Sequence, residues 1–213
     1  MKLALATCAT VPSWEVDDRP FHEALAARGI PIVPTEWLAR GTSPDIESLC
    51  RPRGWKRAFI KPCVGATARE TLRFDADDPA AGAHARRLLP HEDVMLQPYL
   101  SRVERDGELS AIFIDGELTH SVRKVPVTGD YRVQDDFGAK DYAIDFPDVA
   151  LARRTMEVLS RRLLYGRADF LIDDDGLKLT ELELVEPSLF FRHGHHAADR
   201  LAEAIADLLL SRH

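Results

Sequence analysis

The chain has 213 residues, long enough for one large domain or two small ones with a proper buried core. With 45% hydrophobic and 30% charged residues it has the composition of an ordinary soluble globular protein, and its net charge of −7 argues against a nucleic acid or an anionic membrane as the main partner. The three cysteines, Cys8, Cys50 and Cys63, are an odd number without metal-ligand spacing, which fits reduced thiols in a cytoplasmic protein.

The opening residues MKLALATCAT carry an apolar run too short for a signal peptide, and Glu15, Asp17 and Asp18 follow at once, so a buried first strand over residues 2–7 is expected. No stretch approaches the length of a membrane-spanning helix. Asp17 and Asp18 then open an amphipathic helix that runs through Phe21 and Leu25 to Arg28, and Gly29 closes it. Residues 30–34 are extended, and Thr35 is placed as the cap of a helical turn through Trp37 and Leu38. Pro44 and Pro52 break the polar stretch 39–57, which leaves room for a short helix from Ser43 or Asp45 to Cys50.

Residues 58–62 form a strand that delivers Lys61 near its end, followed by the small-residue run Val64-Gly65-Ala66-Thr67-Ala68-Arg69. Such a loop lets backbone N–H groups close on an oxyanion, but with a single glycine an ordinary turn beside a surface lysine explains these residues better when they are taken alone. Asp78-Pro79 starts a helix that stops near Pro90, and residues 93–99 make an apolar strand ended by Pro98. A hairpin across Asp115-Gly116 joins residues 107–115 to 117–125, with Leu109, Ala111 and Phe113 alternating and Arg123-Lys124 ending the second arm. The polar segment 129–138 is long for a loop without structure, and Tyr131, Val133 and Phe137 within it favour a functional loop. Residues 148–164 read as a helix with Val149, Leu151, Met156, Leu159 and Leu163 on its apolar side. Residues 196–210 read as another, with Leu201, Ile205, Leu208 and Leu209 inward. The sum is an α+β fold with mostly antiparallel sheets.

The stretch from Arg167 to Pro187 carries the most chemistry. Two strands meet at Asp173-Asp174-Asp175-Gly176, and strict alternation sends Leu177, Leu179, Glu181 and Glu183 to one face of the second strand, with Asp169 on the partner strand within reach. Carboxylates converging on a sheet repel one another unless cations compensate. A divalent ion with oxygen ligands is one answer; a solvated acidic edge on a surface hairpin is the other.

The order strand-Lys61, DVMLQPYL, the hairpin ending in Arg123-Lys124, the GDYRVQ loop and RADF…ELELVEP resembles the ATP-grasp superfamily, in the cycloserine-biosynthesis cyclo-ligase and glutathione-synthetase-like (RimK-like) branch. The start TCATVPSWEVDDRPFHEALAARG is similar to the same branch. The resemblance implies an ATP-grasp fold, two α+β subdomains that grip ATP, with an N-terminal α/β remnant over residues 1–38, a small subdomain over 39–100 and a large, metal-binding one over 101–213. Most of the usual N-terminal α/β domain is expected to be missing at Gly29-Ile30, which leaves the amine-side pocket and full activity open. The implied activity is ADP-forming ligation of a carboxylate to an amine through an acyl phosphate, on a small-molecule carboxylate and amine substrate. ATP and magnesium, as two ions, are the implied cofactors, and a homodimer is a compatible assembly. A non-catalytic ATP-binding remnant, or a ligase modifying a peptide or protein terminus, are the alternatives.

Residue by residue, the resemblance implies that Lys61 touches the phosphates under a loop holding Thr67 and Arg69. It implies that Gln97, Pro98, Tyr99 and Leu100 form the hinge that reads adenine, with Glu104 or Glu108 near the ribose. Arg123, Lys124 and Arg132 would face the γ-phosphate and the acyl phosphate. Asp169, Glu183 and Glu186 would hold magnesium, with Glu181 in reserve. Glu186 is substituted there for the Asn usual in the superfamily, and it shares the face of Glu183 only if the chain bulges near Val185. Elsewhere, His193, His195 and His196 lack a nearby fourth zinc ligand and read as a helix start, Phe190 and Phe191 as core, Cys63 as a packing residue, and residues 173–175 as a turn instead of a calcium loop.

Overall fold

The computed structural model describes residues 24–63, 69–159, 163–185 and 187–211. The strand expected over residues 2–7 and the start of the first helix lie outside the described residues. The chain divides into two compact units: Val33–Leu100, and residues from Ser101 onward together with the segment that ends at Ile32.

The first unit is a four-stranded antiparallel sheet of β1 (Glu36–Leu38), β2 (Arg57–Pro62), β3 (Leu72–Asp75) and β4 (Val94–Pro98), in the order β1-β4-β2-β3. Alternation on β2 buries Ala58 and Ile60 in a core with Phe74, Val94, Leu96 and the apolar sides of α1 (Ile46–Cys50) and α2 (Pro79–Leu88). The start of α2 is the one its sequence predicts: Pro79 occupies the first turn and the Asp78 carboxylate accepts from the Ala80 N–H at 2.8 Å. The helical turn expected after Thr35 is instead strand β1. Glu36, Trp37 and Leu38 pair with Leu96, Met95 and Val94, and the Thr35 hydroxyl donates to the Val33 carbonyl at 2.9 Å. Sheet pairing overrides the local capping signal, and β1 joins the sheet of this unit. Strand β3 went unpredicted although Leu72 and Phe74 alternate with Arg73 and Asp75.

The second unit is a five-stranded antiparallel sheet of β5 (Glu108–Ile114), β6 (Glu117–Val125), β7 (Lys140–Ala143), β8 (Tyr165–Asp173) and β9 (Gly176–Glu183), in the order β7-β6-β5-β8-β9. Both predicted hairpins are present. The first turns at Asp115 and Gly116 with φ of 51° and 79°, the left-handed pair that a tight hairpin needs. The short helix α3 (Val103–Asp106), before β5, and the edge strand β7 were not predicted.

On one sheet face Ala168 and Phe170 are buried; Phe146 meets Phe170 edge-on at 5.4 Å, and α4 (Val149–Glu157) lies against β8 with Leu151, Ala152 and Thr155 buried. Val149, expected inward, is exposed. The opposite face is divided. At one end Ile112, Ile114 and Val122 pack with Phe190, Ala197 and Leu201 under α5 (Ala197–Leu210). Ala197 and Ala204 are the buried residues of α5, whereas Ile205 and Leu209, expected inward, are 41% and 60% exposed. Phe190 joins this core as expected, but Phe191 is exposed. The other end of the same face carries Glu108, Ser110, Lys124, Arg167 and Asp169, all buried.

Before this unit's main body, residues 24–27 are helical and end in a Schellman cap: the Ile30 N–H bonds the Leu25 carbonyl at 3.1 Å, the Gly29 N–H bonds that of Ala26 at 2.9 Å, and Gly29 has φ of 71°. Leu25 and Ile30, the apolar pair this cap brings together, are both buried. Ile32 then pairs in parallel with Leu179, whose N–H bonds the Pro31 carbonyl at 2.8 Å.

Candidate active site

The period-two geometry of a strand puts Arg167 and Asp169 on one face of β8 and Glu108 and Ser110 on the same face of β5. Register then aligns them: Ser110 lies opposite Asp169, Lys124 opposite Glu108, Glu181 opposite Asp169 and Glu183 opposite Arg167. On β9 the alternation breaks. Phe170 faces Leu179 while Asp169 faces Glu181, so Thr180 is the extra residue of a β-bulge. Strict alternation would have put Leu179 beside the carboxylates; the bulge sends Leu179 into the core with Phe170 and leaves Glu181 and Glu183 on the Asp169 side. The Thr180 hydroxyl lies 3.0 Å from both Glu108 Oε1 and the Asp169 carbonyl oxygen, which pins the bulge.

Asp169 is fully buried and saturated with donors. Its Oδ1 accepts from Ser110 Oγ at 2.6 Å and from Arg167 Nε at 3.0 Å, and its Oδ2 accepts from Arg167 Nη2 at 2.8 Å and from Lys124 Nζ at 3.2 Å. Lys124 Nζ is also 2.5 Å from Glu108 Oε2, and Arg167 Nη2 is 2.9 Å from Glu183 Oε2. Burial alone would push the Asp169 carboxyl up, but Arg167 and Lys124 outweigh it and hold the group well below the usual carboxylate range. Burial likewise works against the charge on Lys124, and Asp169 and Glu108 outweigh it, raising the ammonium above the usual lysine range. Arg167 is raised too, against its burial, first by Asp169 and then by the glutamates. Asp169, Lys124 and Arg167 therefore each hold their charge at neutral pH.

Asp169, Glu181 and Glu183 each bring a carboxylate oxygen within 4.8 Å of the others. With Glu108 they make four carboxylates against two cations, an excess of two negative charges, the charge of one magnesium ion. Hard oxygen donors in that number suit magnesium, and the residues present fit it. Glu181 stands in this group on equal footing with the other two, and Glu186 lies outside the described residues. The histidines contribute to no such group among the described residues; His193 Nε2 and Arg192 Nε both bond the Asp141 carboxylate, the latter at 2.9 Å.

Of the residues expected to contact phosphate, Arg123 is exposed on the face of β6 opposite to Lys124, because neighbours on a strand point oppositely. Arg132 sits in the 129–138 loop with its guanidinium 3.9 Å from the centre of the Phe137 ring and both carboxylate oxygens of Asp130 bonded to it, Nη2 to Oδ2 at 2.7 Å. Asp130 also accepts from the Tyr131 and Arg132 N–H groups at 2.7 and 3.0 Å, so the loop is pinned at this point. Glu104 is exposed on α3, whereas Glu108 is buried in the ionic cluster and away from solvent.

In the first unit Lys61 is half-buried on β2, opposite Met95 on β4. Arg69 pairs with Glu92 at 2.5 Å; Thr67 lies outside the described residues. Gln97 donates from Nε2 to Thr35 Oγ1 at 2.9 Å. Pro98 has no N–H to offer, and that of Tyr99 bonds the Arg57 carbonyl at 2.9 Å. Tyr99 is buried edge-on against Phe59 at 5.3 Å, and its hydroxyl accepts from Arg73 at 3.2 Å. Leu100 is buried directly after it.

Sequence reasoning missed Arg167, Ser110 and Thr180. The first two lay in plain view, each two positions from an acid already singled out, Arg167 before Asp169 and Ser110 after Glu108, hence on the same face. Counter-cations were sought at strand ends, and the main one is inside the strand.

The comparisons with known proteins place these two antiparallel sheets and their helices: the chain belongs to the ATP-grasp ligases related to DcsG. It is 31% identical to the cycloserine biosynthesis protein DcsG of Streptomyces lavendulae over an alignment that covers 96% of this chain and 73% of that protein. The crystal structure of D-cycloserine synthetase DcsG matches with a TM-score of 0.79 at 29% identity, over 92% of this chain and 71% of that one. A D-alanine–D-alanine ligase from Bacillus anthracis complexed with ATP shares the fold with a TM-score of 0.67 at 14% identity, over 90% of this chain and 64% of that one. The ATP-grasp ligase PsnB complexed with a precursor variant, Mg and ADP does so with a TM-score of 0.62 at 21% identity, over 88% of this chain and 57% of that one. No family model matches the chain. No helix among the described residues is long and apolar enough to cross a membrane.

Proposed function

We propose that the chain is an ATP-dependent, ADP-forming ligase that joins a carboxylate to an amine on a small amino-acid-like substrate, with ring closure inside one molecule as the reaction its relative DcsG suggests. The observation that carries this reading is the cluster of Asp169, Glu181 and Glu183 on rigid paired strands, with two cations built in. Asp169, Glu181 and Glu183 would hold magnesium, which when bound neutralises charge on phosphate oxygens. The charge balance of the platform matches one ion, and a second of the expected pair would need phosphate oxygens as partners.

The proposed reaction has two steps. A substrate carboxylate oxygen attacks the γ-phosphorus, the bond to the bridging oxygen breaks, and ADP leaves with that electron pair. The amine then attacks the acyl carbon, the acyl C–O bond breaks, and phosphate leaves and takes up the amine proton. Lys61 would meet the phosphates as a point charge, and Arg132 would present its planar fork, already oriented by Asp130 and Phe137, to the phosphoryl oxygens. Lys124 is buried between Glu108 and Asp169, so we assign it to holding Asp169 in place instead of meeting phosphate. Arg123 is assigned no contact with the reacting groups. In the hinge, the backbone of Leu100 is the donor we assign to adenine, since Pro98 lacks an N–H and that of Tyr99 is bonded to Arg57. Glu104, exposed on α3, is the acid we assign to the ribose hydroxyls. The reduced thiols of Cys50 and Cys63 fit a cytoplasmic setting.

The test is ADP release measured with magnesium, ATP and a panel of amino-acid-like carboxylates that carry a free amine. Release that requires both groups supports the reading; nucleotide binding with no ADP release under any pair overturns it in favour of a non-catalytic ATP-binding module.

A further inference from the structure

A carboxylate offers about four lone-pair directions. On Asp169 all are taken: Ser110 Oγ and Arg167 Nε at Oδ1, Arg167 Nη2 and Lys124 Nζ at Oδ2. A metal can bind Asp169 only if one donor leaves. Ser110 is fixed opposite Asp169 by strand register, and Lys124 is anchored by Glu108 at 2.5 Å, outside the acidic triad. Arg167 is different. Its Nη2 bonds Asp169 and also lies 2.9 Å from Glu183, so one guanidinium spans two of the three carboxylates that can hold a metal.

Resting on the magnesium reading above, we infer that Arg167 is a stand-in cation, and that metal loading is an exchange in which its guanidinium releases Asp169 and Glu183 to the dication. The Nη1 contact to the Ser188 carbonyl at 3.2 Å is a neutral partner that gives the released side chain a place to turn about. A buried guanidinium cannot be left without an anion. Its planar fork matches phosphate or carboxylate oxygens in pairs. An anionic substrate group that accepts Arg167 therefore favours metal at Asp169, and metal at Asp169 favours that substrate group by the same factor. The protein alone binds the metal weakly, because the site already holds its own cation.

The experiment titrates Mn²⁺ alone, with free ion followed by electron paramagnetic resonance, into the wild-type chain, Arg167→Gln, Arg167→Lys and Glu181→Gln, each checked for native circular dichroism. Exchange predicts that Arg167→Gln binds Mn²⁺ about tenfold or more tighter than wild type, since the competing charge is gone. Equal or weaker binding by Arg167→Gln overturns the exchange. If Glu181→Gln at the same time abolishes binding, the metal reading survives that failure; if Glu181→Gln binds as wild type does, the metal reading falls as well. Should Arg167→Gln fail to fold, the shorter, single-point Arg167→Lys takes its place with the same expected direction. The wild type supplies an independent check by ¹⁵N-arginine NMR. The Arg167 Nε–H is expected to be protected without metal and to lose that protection on saturation with Mg²⁺, and a signal unchanged at saturation overturns the exchange.

Discussion

Arg167 and Asp169 stand two residues apart on one strand and meet side by side, the guanidinium bonding both oxygens of the carboxylate at 2.8 to 3.1 Å. A charged pair this deep is costly to break from one side, because the survivor is left as an uncompensated buried ion. Asp169→Asn would take from Arg167 and Lys124 the carboxylate they share and leave each with one glutamate, Glu183 and Glu108 respectively. It is expected to lose about 3 kcal/mol of stability as well as metal-dependent turnover, and a denaturant titration beside the ADP assay shows both losses.

Glu181 is half-buried in the same acidic group, and Gln keeps its shape while removing its charge. Glu181→Gln is expected to change stability by about 1 kcal/mol or less, while ADP release falls by about a hundredfold or more. Parallel thermal melts and ADP assays check it; full activity would remove Glu181 from the metal site.

Lys61 lies in the first unit, half-buried and on the strand face opposite its core. Lys61→Ala is expected to raise the ATP concentration needed for half-maximal ADP release by about tenfold or more, with little change in stability. Unchanged ATP dependence would count against a phosphate role.

Gly107 joins α3 to β5 with φ of 70° and ψ of −166°, a region open to glycine almost alone. An added Cβ would sit 2.3 Å from the Lys124 carbonyl oxygen, a backbone atom that cannot step aside. Gly107→Ala is expected to destabilise the protein by about 3 kcal/mol or more and to disturb Lys124 where it meets Asp169. Urea unfolding measures the first effect and metal titration the second.

His120 is half-buried, its Nε2–H donating to the Leu189 carbonyl at 2.8 Å, and burial foremost pushes its pKa below the usual 6.5. The unfolded chain therefore takes up this proton at a higher pH than the folded one. Between those two values the unfolded state holds more protons, so stability rises with pH. The contribution is complete above pH 6.5 and is lost as pH falls from there toward the folded value. Unfolding free energies of wild type and His120→Gln at pH 7.5 and 5.5 check the sign, and the variant is expected to show the smaller fall.

The readable parts of the chain were those in which local chemistry and tertiary packing agree. Asp78-Pro79, Asp115-Gly116 and Gly29 each do locally what the fold requires, and the strands around Ile60, Leu96 and Phe113 are buried as their patterns predict. Where the sequence misled, a distant partner had decided. Thr35 looked like a cap until β4 paired with the residues after it. Alternation on β9 was right from Glu181 onward and wrong before it, because a single inserted residue, Thr180, resets the face. Ile205 and Leu209 fit an inward stripe by spacing, yet α5 rolls so that the small residues Ala197 and Ala204 take the sheet. The acids of the site were visible from spacing alone. That Arg167 also reaches Glu183 could be known only once β8 and β9 were in register.

The parallel bridge from Ile32 to Leu179 has a consequence for anyone dissecting the protein. It places a short piece of chain from before the first unit along the outer rim of β9, where the Pro31 carbonyl caps the Leu179 amide. An expression fragment cut at Ser101 would look like a natural half by residue number. It would leave that rim bare, a free template on which copies add strand to strand. Soluble preparation of the carboxylate-bearing half is therefore expected to improve when the segment through Pro31 and Ile32 is supplied, in the same chain or as a separate peptide.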